Sequence, residues 1–249
     1  MSEQAGSTIS AEQHPPEMSS TQRFFGAFME PASTFASIAR KPNFWPPLIA
    51  LMVIWAAASE LMLHVIGMDT IIRRSIELSG RANNMTPEQM QKAIDQGSKA
   101  GAIFAHLSFL GVPIILIVIA AIGMLILKAV FGHPVGFKTA FSVTAYADLP
   151  SIIAGILGMI VIGFGDPASF NPRNFIPTNI GFYLSPESVS HPVYSIAMSL
   201  DVFSFWFMAL LGIGFAAAAG SKVRARSVFF CFLGLWVIWV LIKAGLAAI

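Results

Sequence analysis

Five long apolar runs alternate with polar connections along this chain of 249 residues. They cover residues 44–67, 103–131, 137–164, 192–219 and 227–249. Each holds the ~20 residues a helix needs to cross a hydrocarbon layer of ~30 Å. A membrane β-barrel would instead alternate over segments of about ten residues, and these runs are continuous. The pattern therefore predicts an all-α, polytopic integral membrane bundle with about five transmembrane helices.

The third run is interrupted. "AFSVTAYADLPSIIAGILGMIVIGFG" is apolar except for Asp148-Leu149-Pro150 near its middle. Pro150 has no amide donor, and its ring presses toward the carbonyl of Tyr146. Leu149, as the residue before a proline, is biased away from helix. The Asp148 carboxylate is placed to cap the Ser151 amide. The stretch predicts a first helix over 137–147, near the interface or entering at an angle. A short second span then runs from 149 or 150 to 164, and its ~15 residues reach only about 22 Å.

The connections differ in kind. Residues 1–23 are rich in Ser, Gln, Glu and Pro and read as a disordered polar tail, leaving 24–249 as the membrane domain. The first loop predicts a short amphipathic helix with Asp69 as N-cap and Gly80 as stop. A second helix follows, opened by a Thr86–Gln89 capping box with Pro87 at its first position, and runs into the second span. The loop after the third span carries Pro167, Pro172, Pro177, Pro186 and Pro192, a density that predicts an extended, ordered lid.

Composition agrees with the pattern. The chain is 55% hydrophobic and 11% charged, against about 25% charged in soluble domains. A net charge of +2 gives no reason to expect nucleic acid as a partner. Cys231 is the only cysteine, so no intrachain disulfide or zinc-type cluster forms. Orientation follows from the basic residues at the span ends. Arg40 and Lys41, then Lys128 and Lys138, then Lys222, Arg224 and Arg226 share one side, which predicts a cytoplasmic N-terminus and an outer C-terminus. The first loop, with Arg73, Arg74, Arg81, Lys92 and Lys99, opposes this at lower density.

Ionisable groups inside a bilayer are rare and costly, which makes each a candidate for function. Glu60 and His64 lie one turn apart on the first span, His106 starts the second, and Asp201 and Lys243 lie in the outer parts of the fourth and fifth. They predict a polar cluster in the outer half of the bundle, with Asp201 paired to Lys243 or to another member. Asp148 belongs to a separate place near the inner half. Gly212, Gly214 and Gly220 read as a helix-packing surface, as do Gly155, Gly158 and Gly163. Trp236 and Trp239 read as packed or lipid-facing. Lys222, Arg224 and Arg226 form a topogenic basic loop that could also meet anionic lipid or an acidic partner. No metal-ligand spacing, phosphate loop or nucleophile–base pair can be read, so neither metal nor cofactor is expected.

Several stretches together resemble the Yip family of membrane proteins, named for interaction with Ypt/Rab GTPases. "EPASTFASIARKPNFWPPLIALMVI" is similar to the segment leading into span one of its prokaryotic branch, through Pro31, Thr34, Phe35, Arg40, Lys41 and Pro42. "GFKTAFSVTAYADLPSII" is similar to the family's central signature, through Phe137, Lys138, Tyr146, Leu149 and Pro150. Asp201, Trp206, Gly212 and Gly214 match its fourth span. The resemblance implies five spans, a cytosolic N-terminus and, for eukaryotic members, roles in membrane traffic through GTPase and partner binding.

The expected function is thus non-enzymatic: partner binding or membrane organisation, with the lipid bilayer and another membrane or peripheral protein as partners, in a bacterial inner membrane. A small transporter or channel using Glu60, Asp148 and Asp201 is the alternative. A membrane-embedded enzyme stands third.

Overall fold

The computed structural model describes residues 18–166 and 170–248. Residues 1–17, 167–169 and 249, which fall in the expected tail, lid and last span, lie outside them.

Helix α1 (Ser20–Met29) begins on a capping box in which Ser19 and Gln22 exchange side-chain and backbone hydrogen bonds. The tail expectation is thereby corrected at its end: Ser20 to Arg23 are helical. After Glu30 alone, Pro31 opens α2 (Pro31–Arg40), where a missing amide costs nothing. Helix α3 (Trp45–Val65) follows, with prolines again confined to its first turn.

The first loop is a helical hairpin, α4 (Met68–Glu77) and α5 (Pro87–His106). Asp69 does not cap α4. The N-cap is Gly67, whose φ of 80° suits glycine, and Asp69 lies in the first turn. Thr86 and Gln89 form the expected capping box on α5. That helix does not run on into the second span. Gly97 and Gly101 lie against Ile72 and Met68, which commits α5 to α4. A 3₁₀ turn at Ser108–Leu110 then starts the span proper, α6 (Gly111–Ala129).

Helix α7 (Phe137–Ala147) and α8 (Pro150–Phe164) divide the third run where the sequence predicts. The position of α7 differs from expectation. Every residue from Ala140 to Ala147 is buried, so α7 is the centre of the bundle rather than an interfacial helix. It packs against α2, α6 and α10 (Val202–Ala218). A helix buried all round must satisfy its own polar groups. The Ser142 and Thr144 hydroxyls do so by donating to the Lys138 and Ala140 carbonyls.

The fourth run is also broken, which the sequence reading did not anticipate. Helix α9 (His191–Ser199) stops at Leu200, and α10 restarts on Asp201. Helix α11 (Ala225–Leu246) completes the bundle against α9 and α10. Among the described residues, four stretches are long and apolar enough to cross a membrane: Trp45–Val65, Ser108–Ala129, Phe137–Phe164 and Ala225–Leu246. Val202–Ala218 is a shorter apolar fifth. The architecture is a polytopic helical membrane bundle.

Close packing rests on small residues. A Cβ on Gly214 would meet Val143 and Phe35, and one on Gly123 would overlap the Phe215 ring. Gly212 lies against the Ala225 carbonyl and Phe229. Gly220 is not part of this surface: it has open space around it and a φ of 75°, and it turns the chain between α10 and α11. Gly163 likewise meets nothing. Trp236 packs on Phe205, while Trp239 is exposed.

Candidate functional site: a side cavity at the break of span three

At the α7–α8 junction Asp148 (φ −83°, ψ −3°) and Leu149 (φ −52°, ψ −33°) both keep helical dihedrals. The expected displacement of Leu149 from helix therefore does not occur. The Ser151 amide donates to the Asp148 backbone carbonyl at 2.9 Å, and Ile152 to the Leu149 carbonyl at 3.0 Å. The junction is a tightened helical turn. The capping role of Asp148 is overturned with it: a capping residue needs extended backbone to aim its side chain at the free amides, and α8 has no side-chain cap.

The carboxylate so released faces a cavity of about 410 Å³ between α3 and α6. Trp55, Ala58 and Met62 of α3 and Val112, Ile115 and Leu116 of α6 form apolar walls. Phe175 of the third loop closes one side and also packs on Gly158. Asp148, Ser151, Ser59 and Ser108 supply its polar lining. The Ser151 hydroxyl has no hydrogen-bond partner among the described residues. No ion pair reaches Asp148 among the described residues. Ser59, also on the wall, is satisfied: its hydroxyl donates to the Ala105 carbonyl at 2.9 Å.

The cavity runs along the C-terminal half of α3, where Ser59 and Met62 flank Glu60.

The expected outer cluster does not assemble as one unit. His106 Nδ1 and Glu60 Oε1 meet at 2.6 Å, both side chains more than half exposed. His64 forms no hydrogen bond or ion pair among the described residues. Asp201 does not pair with Lys243. It is the N-cap of α10, accepting from the Phe203 amide at 3.2 Å and from the Ser204 hydroxyl at 3.3 Å. Lys243 lies in the last turn of α11, where the helix dipole favours a cation.

The third loop is ordered by its own amides. Asn174 and Asn179 bond each other at 2.8 and 3.1 Å, and Asn171 donates to the Tyr194 hydroxyl. An isolated bridge between Asn179 and Asp201 fastens the loop to the α9–α10 break. Arg173 ties it to α4 through the Ser75 and Leu78 carbonyls. Phe175 is thereby fixed over the cavity.

Sequence reading missed Ser151, Phe175 and Arg23. Neither Ser151 nor Phe175 carried a signal, because only folding brings them beside α3. Arg23 was assigned to the tail, yet it is buried, donating from Nη1 to the Lys41 carbonyl at 2.7 Å and from Nη2 to that of Ser37 at 3.4 Å. It closes the C-terminal end of α2. Its Nε, the Thr34 hydroxyl and the fully buried Tyr146 hydroxyl have no hydrogen-bond partner among the described residues. Lys222, Arg224 and Arg226 are exposed around the turn between α10 and α11.

No group of three His, Cys, Asp or Glu side chains suited to a metal occurs among the described residues. No curated protein and no solved structure matches the chain. The Yip1 domain family model matches residues 25–244, from α1 through almost all of α11. With nearly the whole bundle inside that match, and membrane-spanning helices in the order the resemblance implies, the chain belongs to the Yip1 domain family of membrane proteins.

Proposed function

We propose that this protein is a non-enzymatic membrane organiser that acts by binding another membrane or peripheral protein. The observation that carries this reading is the burial of α7: eight consecutive residues, Ala140 to Ala147, are buried at the centre of the bundle, so the core is closed around a helix. A closed core suits a rigid platform. The folded surface at one end, the α4–α5 hairpin tied to the third loop through Arg173, offers a partner exposed charged positions such as Glu88, Lys92 and Lys99.

The transporter alternative has less support. Its three acids have three separate jobs: Asp148 faces the side cavity, Glu60 pairs with His106, and Asp201 caps α10. The proposed setting is a bacterial inner membrane with the N-terminus cytoplasmic. Arg40, Lys41, Lys128, Lys138, Lys222, Arg224 and Arg226 then lie on the inner side, and reporter fusions at the two termini check that orientation.

Photo-crosslinkers placed at Glu88, Lys92 and Lys99 in the native membrane test the binding reading. A discrete protein adduct from this face is the expected result. Solute flux in proteoliposomes that collapses in Asp148→Asn would overturn it in favour of transport.

A further inference from the structure

The cavity between α3 and α6 is lined mainly by apolar side chains, with Asp148 as its one charged residue and Ser59, Ser108 and Ser151 as its hydroxyls. Its volume, about 410 Å³, lies in the range of sites that hold small molecules, about 300–1,000 Å³. Trp55, Met62, Val112 and Ile115 give it apolar walls, and Ile115 is also largely exposed, so the cavity opens onto the apolar flank of the bundle. A ligand would thus enter from the lipid side.

Among the cavity's lining residues are the Asp148 carboxylate, which no Lys, Arg or His pairs with among the described residues, and the Ser151 hydroxyl, which has no hydrogen-bond partner among them. A carboxylate removed from water with no counter-charge is costly, and so is a hydroxyl left without a partner. Both needs are met by a donor-only cation. An ammonium group carries three donors on a compact charge and no acceptor. A planar guanidinium, with five donors in a fixed fork, would leave several unmatched here.

We propose that this cavity is a binding site for an apolar molecule bearing one primary amine. Its ammonium meets Asp148 and Ser151, and its hydrocarbon body lies along Trp55, Met62 and Ile115. The site is independent of the protein partner proposed above, since it lies in the flank of the bundle and not on the α4–α5 hairpin.

The test uses the full-length protein in lipid nanodiscs with a long-chain primary amine carrying an alkyl diazirine. Photolabel is expected on peptides of α3 or α6. An unlabelled long-chain amine should compete at least about tenfold better than the alcohol of equal length, the margin expected of a charge-assisted hydrogen bond. Asp148→Asn should abolish that preference, and Ala58→Phe, which fills the cavity, should remove labelling by the probe. The amine-against-alcohol comparison on the unaltered protein stands even where a variant does not fold. Equal competition by alcohol and amine, label outside the cavity walls, or an undiminished preference in folded Asp148→Asn would each overturn the proposal.

Discussion

In the α7–α8 break Asp148 stays helical, whereas in the α9–α10 break Asp201 is extended, at φ −117° and ψ 131°. That difference in backbone decides what each carboxylate can do. Extended backbone turns the Asp201 side chain back onto the α10 amides, where it takes up two donors. Helical backbone leaves the Asp148 side chain pointing out of the turn, and the free amides are served by main-chain carbonyls instead. Pro150 permits this economy of caps, since the first residue of α8 has no amide to satisfy. One break consumes its acid in folding. The other releases it into a cavity.

Substitutions can push on this contrast, and the largest effect should come from the contact that holds both breaks in place. Gly214 brings α10 against Val143 of α7 and Phe35 of α2. Gly214→Leu should overpack the core by about 3 kcal/mol or more, lowering the melting temperature in detergent and broadening the gel-filtration peak.

Next in size is the cap itself. Asp201→Ala should cost about 1–2 kcal/mol, and Asp201→Asn, which keeps an acceptor, should recover most of it. Thermal melts of the two variants side by side measure that difference.

Asp148→Leu should act with the opposite sign. It removes a carboxylate that has no counter-charge and adds apolar surface to an apolar-walled cavity, so it should stabilise the protein by about 1 kcal/mol. A drop in melting temperature as large as that of Asp201→Ala would mean that the two acids play the same role after all.

Pro150→Ala should move stability by less than about 1 kcal/mol, because Asp148 and Leu149 already have helical dihedrals and the turn does not depend on the ring to exist. Glu60→Gln should be smaller still, about 0.5 kcal/mol, since its bond to His106 is exposed. Melts at low and high salt would separate that ion pair from any structural cost.

The sequence made the break in span three legible because Pro150 has no amide to donate, which suits it to the first position of a helix. It did not make the break in span four legible, because "MSLDVF" contains no residue that forbids helix. That interruption is imposed from outside, by the third loop bridging Asn179 to Asp201. The expected Asp201–Lys243 pair failed for a related reason. Depth along a span says which charges share a layer, but not which way each helix turns them.

Apolar run length, proline and capping residues act through their immediate neighbours. The sequence by itself therefore determined the membrane class, the helical bundle, the capping box on α5 and the division between α7 and α8. The burial of α7 on all sides, the recruitment of Arg23 from the supposed tail, and the meeting of Asp148 and Ser151 with α3 and Phe175 depend on contacts between residues far apart in the chain. Only the tertiary structure could decide those, because rotation and neighbour choice among apolar helices are set by how small residues such as Gly214 and Gly123 let them interlock.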